Sequence, residues 1–110
     1  MGTFATQFDT LTIASGGTTS GATVRGALDD ADAVGVTFPG TPTGGITVEV
    51  NPSDADAALW VTLKSAGSDV TVGAASGIVL VDFPFARLRL KSSAAEGAAR
   101  TFYISKFVRT

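Results

Sequence analysis

Apolar and polar residues alternate along much of this chain, with the period of two that marks a β-strand half-buried on one face. Ile46-Thr47-Val48-Glu49-Val50 is the cleanest case: Ile46, Val48 and Val50 share one face, Thr47 and Glu49 the other. Leu59-Trp60-Val61-Thr62-Leu63-Lys64 repeats the pattern, which predicts Leu59, Val61 and Leu63 inward and Trp60 outward. Arg87-Leu88-Arg89-Leu90-Lys91 does so again, with Leu88 and Leu90 inward and three cations outward. Further strands are predicted over Phe8 to Ile13, Thr23 to Leu28, around Val34, Val36 and Phe38, over Asp69 to Ala74, over Ile78 to Val81 and over Thr101 to Val108. In the last of these, Phe102, Ile104 and Val108 face one way and Tyr103, Ser105 and Phe107 the other.

Gly, Pro, Ser and Asp clusters punctuate these runs. Ser15-Gly16-Gly17, Gly44-Gly45 and Ser76-Gly77 suit positive φ, and Asn51-Pro52-Ser53-Asp54 is a turn signal. Single helical turns are compatible with Asp54 to Ala58 and Ser93 to Ala99; no longer helix is supported. About eight short strands in 110 residues predict an all-β, single-domain antiparallel β-sandwich, jelly-roll-like, over residues 1–110. Its extended ends, about 1–7 and 106–110, are free to add strands to a neighbour's sheet.

Composition sharpens this into a list of excluded chemistries. There is no His and no Cys, which removes a disulfide scaffold, a Cys/His zinc site, a thiol nucleophile and a histidine base. With 45% hydrophobic residues, a core can form without metal or disulfides. No cofactor, no metal and no enzymatic activity are expected. Asp29, Asp30 and Asp32 cluster in one stretch, and Asn51, Asp54 and Asp56 in another. Neither follows a complete calcium-loop pattern, and solvated turns are the plainer explanation.

The net charge of −2 is against nucleic-acid binding, and no run resembles a membrane span. The distribution is less even than the sum. Residues 1–57 hold one base and seven acids, a net of −6; residues 58–110 hold seven bases and three acids, a net of +4. Either the halves interleave in one fold and the charges mix, or opposite surfaces meet neighbours in an assembly. Arg87, Arg89 and Lys91 form a cationic stripe suited to an acidic protein surface, and also to guarding an exposed sheet. Trp60 and the Phe83-Pro84-Phe85 pair are candidate interface anchors, or plugs at the ends of the core.

The order of motifs carries a resemblance. Ile13-Ala14-Ser15-Gly16-Gly17-Thr18-Thr19-Ser20 leads to a strand ending at Phe38-Pro39. Ile46 to Asp54 follows, then Trp60, then Ile78 to Val81. Phe83-Pro84-Phe85-Ala86-Arg87-Leu88-Arg89-Leu90-Lys91-Ser92-Ser93 precedes a final strand. From about Ile13 to Val108 this succession resembles small structural proteins encoded in the head and tail gene blocks of tailed bacteriophages. It departs at Asp54-Ala55-Asp56-Ala57-Ala58, where those proteins have an Asp-Gly turn. The resemblance implies a virion component on the capsid surface, a decoration or cement protein. Its partners would be the major capsid protein or other virion proteins, with several copies on the shell or a homo-oligomer. A tail or head–tail joining component is the alternative within that class. Outside it stands a carbohydrate-binding module that stacks sugars on Trp60, Tyr103 or the Phe83/Phe85 pair.

Overall fold

A computed structural model describes residues 3–22, 33–51, 59–80 and 87–109. The described residues are all-β. In chain order the strands are β1 (Thr3–Ile13), β2 (Ala33–Phe38), β3 (Ile46–Asn51), β4 (Val61–Thr62), β5 (Lys64–Ser65), β6 (Ser68–Asp69), β7 (Thr71–Val72), β8 (Ser76–Leu80), β9 (Arg87–Ser92) and β10 (Arg100–Arg109). One sheet, A, has the order β1-β10-β2-β8. The other, B, is centred on β3, with β9 on one side and β4 and β7 sharing the other. All pairings between these strands are antiparallel.

Between the sheets lies one hydrophobic core. Sheet A contributes Leu11, Ile13, Val34, Val36, Phe38, Phe102 and Ile104; sheet B contributes Ile46, Val48, Val50, Val72, Leu88 and Leu90. Phe38 and Phe102 stack with centroids 4.6 Å apart. Each fully buried aliphatic or aromatic side chain contributes about 1.5–3 kcal/mol relative to exposure. The alternation seen in the sequence is therefore the physical basis of the two-layer arrangement.

Ten strands appear where about eight were expected, and the reason is local. Val50 pairs with Val61 and Glu49 with Thr62 in one register; Thr47 pairs with Thr71 and Ile46 with Val72 in a register seven residues further on. At the break, Leu63 and Val70 both meet Val48: the Leu63 amide donates to the Val48 carbonyl, and the Val48 amide to the Val70 carbonyl. β4 and β7 are thus one edge strand, interrupted by a small hairpin, β5–β6. The hairpin turns at Ala66-Gly67, with φ of 52° and 83°. Positive φ at both central residues matches the right-handed twist of the flanking strands.

The sequence Thr18 to Ser20 fills one further position. Ser20 donates to the Leu90 carbonyl and Ser92 to the Thr18 carbonyl, laying this segment along β9. With the broken strand counted once, the positions run first-eighth-third-sixth in sheet A and second-seventh-fourth-fifth in sheet B. This is jelly-roll order. Each sheet draws strands from both halves of the chain, so the −6 and +4 halves interleave.

Three local expectations change. Leu59 and Val61, expected inward, are 47% and 54% exposed. Val61 shares a face with Val50 by register, but it lies on an edge strand where the core ends. Ser93 to Ala99 forms bends rather than a helical turn, because its polar groups bond to neighbouring loops. Ser76-Gly77 opens β8, and the positive φ falls on Ala75 instead. The terminal segments pair with each other, from Thr3 opposite Arg109 to Gln7 opposite Ser105. The expected strand over Thr23 to Leu28 and the acidic residues Asp29, Asp30, Asp32, Asp54 and Asp56 lie outside the described residues.

Candidate functional site on the outer face of sheet B

Because Leu88 and Leu90 point into the core, Arg87, Arg89 and Lys91 emerge on the outer face of β9. The register with β3 gives each cation a polar neighbour: Arg87 opposite Asn51, Arg89 opposite Glu49 and Lys91 opposite Thr47. The stripe is therefore not a uniform row of free charges. Arg89 Nε donates to Glu49 Oε1 at 2.8 Å, and its guanidinium carbon lies 4.4 Å from the centre of the Trp60 ring. The Glu49 side chain is 8% exposed and that of Arg89 25%. An ion pair this sheltered loses about 1–3 kcal/mol when one partner is removed, since the other is left without compensation. The stacking adds about 0.5–2 kcal/mol. Trp60 is outward, as the alternation predicts, and half-buried beneath this arginine.

Arg87 is half-buried and engaged in interactions of its own. Lys91 is exposed. It borders a shallow groove of about 440 Å³, lined otherwise by Thr18, Gly45, Thr47, Thr62, Ser92 and Ser93. Phe83 and Phe85 lie outside the described residues. Of the six candidate interface residues, the structure thus brings Arg89 and Trp60 together, sets Arg87 and Lys91 on the same face, and leaves the Phe pair undescribed.

Sequence reasoning missed the residue that organises one end of the sandwich. Glu96 is buried, and its carboxylate ties the loop between β2 and β3 to both ends of its own connection between β9 and β10. It accepts from the Thr43 amide at 2.8 Å, the Gly44 amide at 3.0 Å, the Ser92 hydroxyl at 2.6 Å and Arg100 Nε at 2.8 Å. Its own backbone joins the first loop: Glu96 donates to the Gly17 carbonyl and accepts from the Gly16 amide. Burial alone raises a carboxyl pKa. Here the bonds from Ser92, Thr43, Arg100 and Gly44 outweigh burial and hold it at about 2, against an ordinary 4.5. Close approach is part of the design, since a Cβ on Gly44 would sit 2.6 Å from both the Ala94 nitrogen and Ser92 Oγ. The sequence signal was an isolated Glu among Ala and Gly, four residues from both Ser92 and Arg100.

Among the aromatics whose side chains are described, the rings are dispersed. Phe38 and Phe102 are buried; Trp60 lies on the outer face of sheet B; Tyr103, 38% exposed, lies on the outer face of sheet A. Among the described residues no group of His, Cys, Asp and Glu is arranged to hold a metal ion. No family model matches the chain, and no curated protein matches it.

Proposed function

We propose that this chain is a bacteriophage virion structural protein, a capsid decoration or cement protein that binds the major capsid shell through protein–protein contacts. The order of sequence motifs from Ile13 to Val108 motivates the reading, and the jelly-roll strand order is the structural observation that carries it. That architecture serves viral capsid and lectin domains alike, so it supports the class by analogy of fold. The Glu96-stitched loops supply a rigid end, and rigidity lowers the entropic cost of docking. Many copies on a repeating shell make weak contacts cumulative. On this reading the exposed Lys91 is the part of the cationic stripe most available to an acidic shell surface.

The lectin alternative asks for rings that form one platform. Trp60 and Tyr103 lie on the outer faces of different sheets, so these two rings do not form one platform. Purified expanded shells incubated with the protein are expected to bind it at fixed stoichiometry and to resist heat better. Absence of binding overturns the cement role. Cryo-EM density on tails or at the portal vertex, instead of across the shell, would establish the tail or head–tail alternative.

A further inference from the structure

Lys64, Arg89 and Arg100 each pair with a carboxylate, those of Asp69, Glu49 and Glu96. Arg87 and Lys106 have interactions of their own. Lys91 is exposed, and its ammonium pairs with none of the described carboxylates. Its side chain helps to line the groove of about 440 Å³ on the outer face of sheet B.

The alternation explains why there is a groove at this place. Ile46 and Ser92 are buried, so Gly45, Thr47, Lys91 and Ser93 fall on the outer face. Gly45 brings no side chain to that face, and a Cβ there would meet only Ser93 Oγ, at 3.8 Å. The room it leaves is walled further by Thr18 and Thr62.

The lining is chemically one-sided. Lys91 carries a positive charge and three donors. The Ser93 hydroxyl accepts from the Gly45 amide at 2.9 Å, which leaves its own proton to donate. The Thr18 and Thr62 hydroxyls make no hydrogen bond among the described residues. No carboxylate lines the groove, and Glu49, the acid on this face of β3, is held by Arg89. One cation among several hydroxyls matches a ligand with one anionic oxygen group and several hydroxyls of its own. The volume falls within the roughly 300–1,000 Å³ of small-molecule sites. No aromatic or large aliphatic side chain lines it, so an acidic peptide would bury little apolar surface there. A polyol, by contrast, finds a partner for one hydroxyl after another.

We propose that this groove binds an acidic monosaccharide unit, its carboxylate on Lys91 and its ring hydroxyls on Thr18, Thr62 and Ser93. The site needs no ring stacking and stands apart from the decoration reading.

Amide chemical shifts of isotope-labelled protein provide the test. Glucuronate is expected to shift Gly45, Thr62 and Lys91 saturably. Glucose, which lacks the carboxylate, should bind at least about tenfold more weakly, and glucuronate should lose the same factor on Lys91→Met. Gly45→Leu fills the groove at a position outside the left-handed φ region and keeps the Lys91 charge. It should abolish the shifts while melting within a few degrees of wild type. Equal affinity for glucose and glucuronate overturns the proposal, as does unchanged binding to Gly45→Leu. Acetate or sulfate binding as well as glucuronate also overturns it, since the hydroxyls would then play no part. Tighter binding of a capped Asp-Glu dipeptide overturns it in favour of an acidic peptide. Shell binding is measured separately, so either result leaves the decoration reading to its own test.

Discussion

Glu96 shows how much one carboxylate can hold at the scale of a residue. Its pKa lies below the value in the unfolded chain, so the unfolded state takes up the proton first as pH falls. The stabilisation is complete above about pH 4.5 and drains away as pH falls toward 2. The whole shift corresponds to about 3 kcal/mol at neutral pH. Glu96→Gln is expected to lower the unfolding free energy at pH 7 by about that amount, seen as a lower urea midpoint with an unchanged slope. Between pH 5 and 2 the difference between wild type and variant should shrink, because wild type loses what the variant has already lost. A constant gap across that range would show that the charge is not what matters. Arg89 and Lys91 differ in the same way, although both belong to one stripe. Arg89→Glu sets a second carboxylate against Glu49 and should cost about 3 kcal/mol or more in denaturant unfolding. Lys91→Glu should alter stability by no more than about 0.5 kcal/mol while weakening shell binding. Lys91→Glu is therefore the cleaner probe of an interface; full retention of binding would remove this face from it.

At the scale of elements, the broken edge strand makes a numerical prediction. The two registers against β3 differ by seven residues, so deleting Lys64 to Val70 should join Leu63 to Thr71 in one uninterrupted strand. That variant is expected to keep a cooperative thermal transition. Deleting only Lys64 to Asp69 leaves the strand one residue out of step, which sends its side chains to the opposite face. It should melt several degrees lower. Equal melting temperatures would refute the inserted-hairpin description. The same strand marks what the sequence could convey. Ile46 to Val50 and Arg87 to Lys91 were legible because both are flanked by covered positions, so alternation translates directly into burial. Leu59 and Val61 alternate equally well, but alternation does not say whether a facing layer extends over them. Glu49 was placed outward correctly, yet its partner Arg89 is 40 residues away and known only once the β3–β9 register is known. Glu96 was illegible for a similar reason: two of its donors, the Thr43 and Gly44 amides, lie 53 and 52 residues away.

For the whole molecule, strands from the two halves of the chain interleave in both sheets. The Glu49–Arg89 pair joins the two halves inside sheet B. Among the described residues, recognition is offered by local chemistry: an exposed lysine beside a shallow groove on the outer face of sheet B.

The pairing of β1 with β10 also has a consequence for how the protein is made. The ribosome finishes β1 early, but its partner emerges only about 90 residues later, roughly 5–20 s at ordinary elongation rates. Until then sheet A lacks the strand that joins β1 to β2, and Phe102 and Ile104 are missing from the core. Folding of sheet A is thus deferred until β10 has been made, and the nascent chain must hold an exposed, strand-prone segment until then.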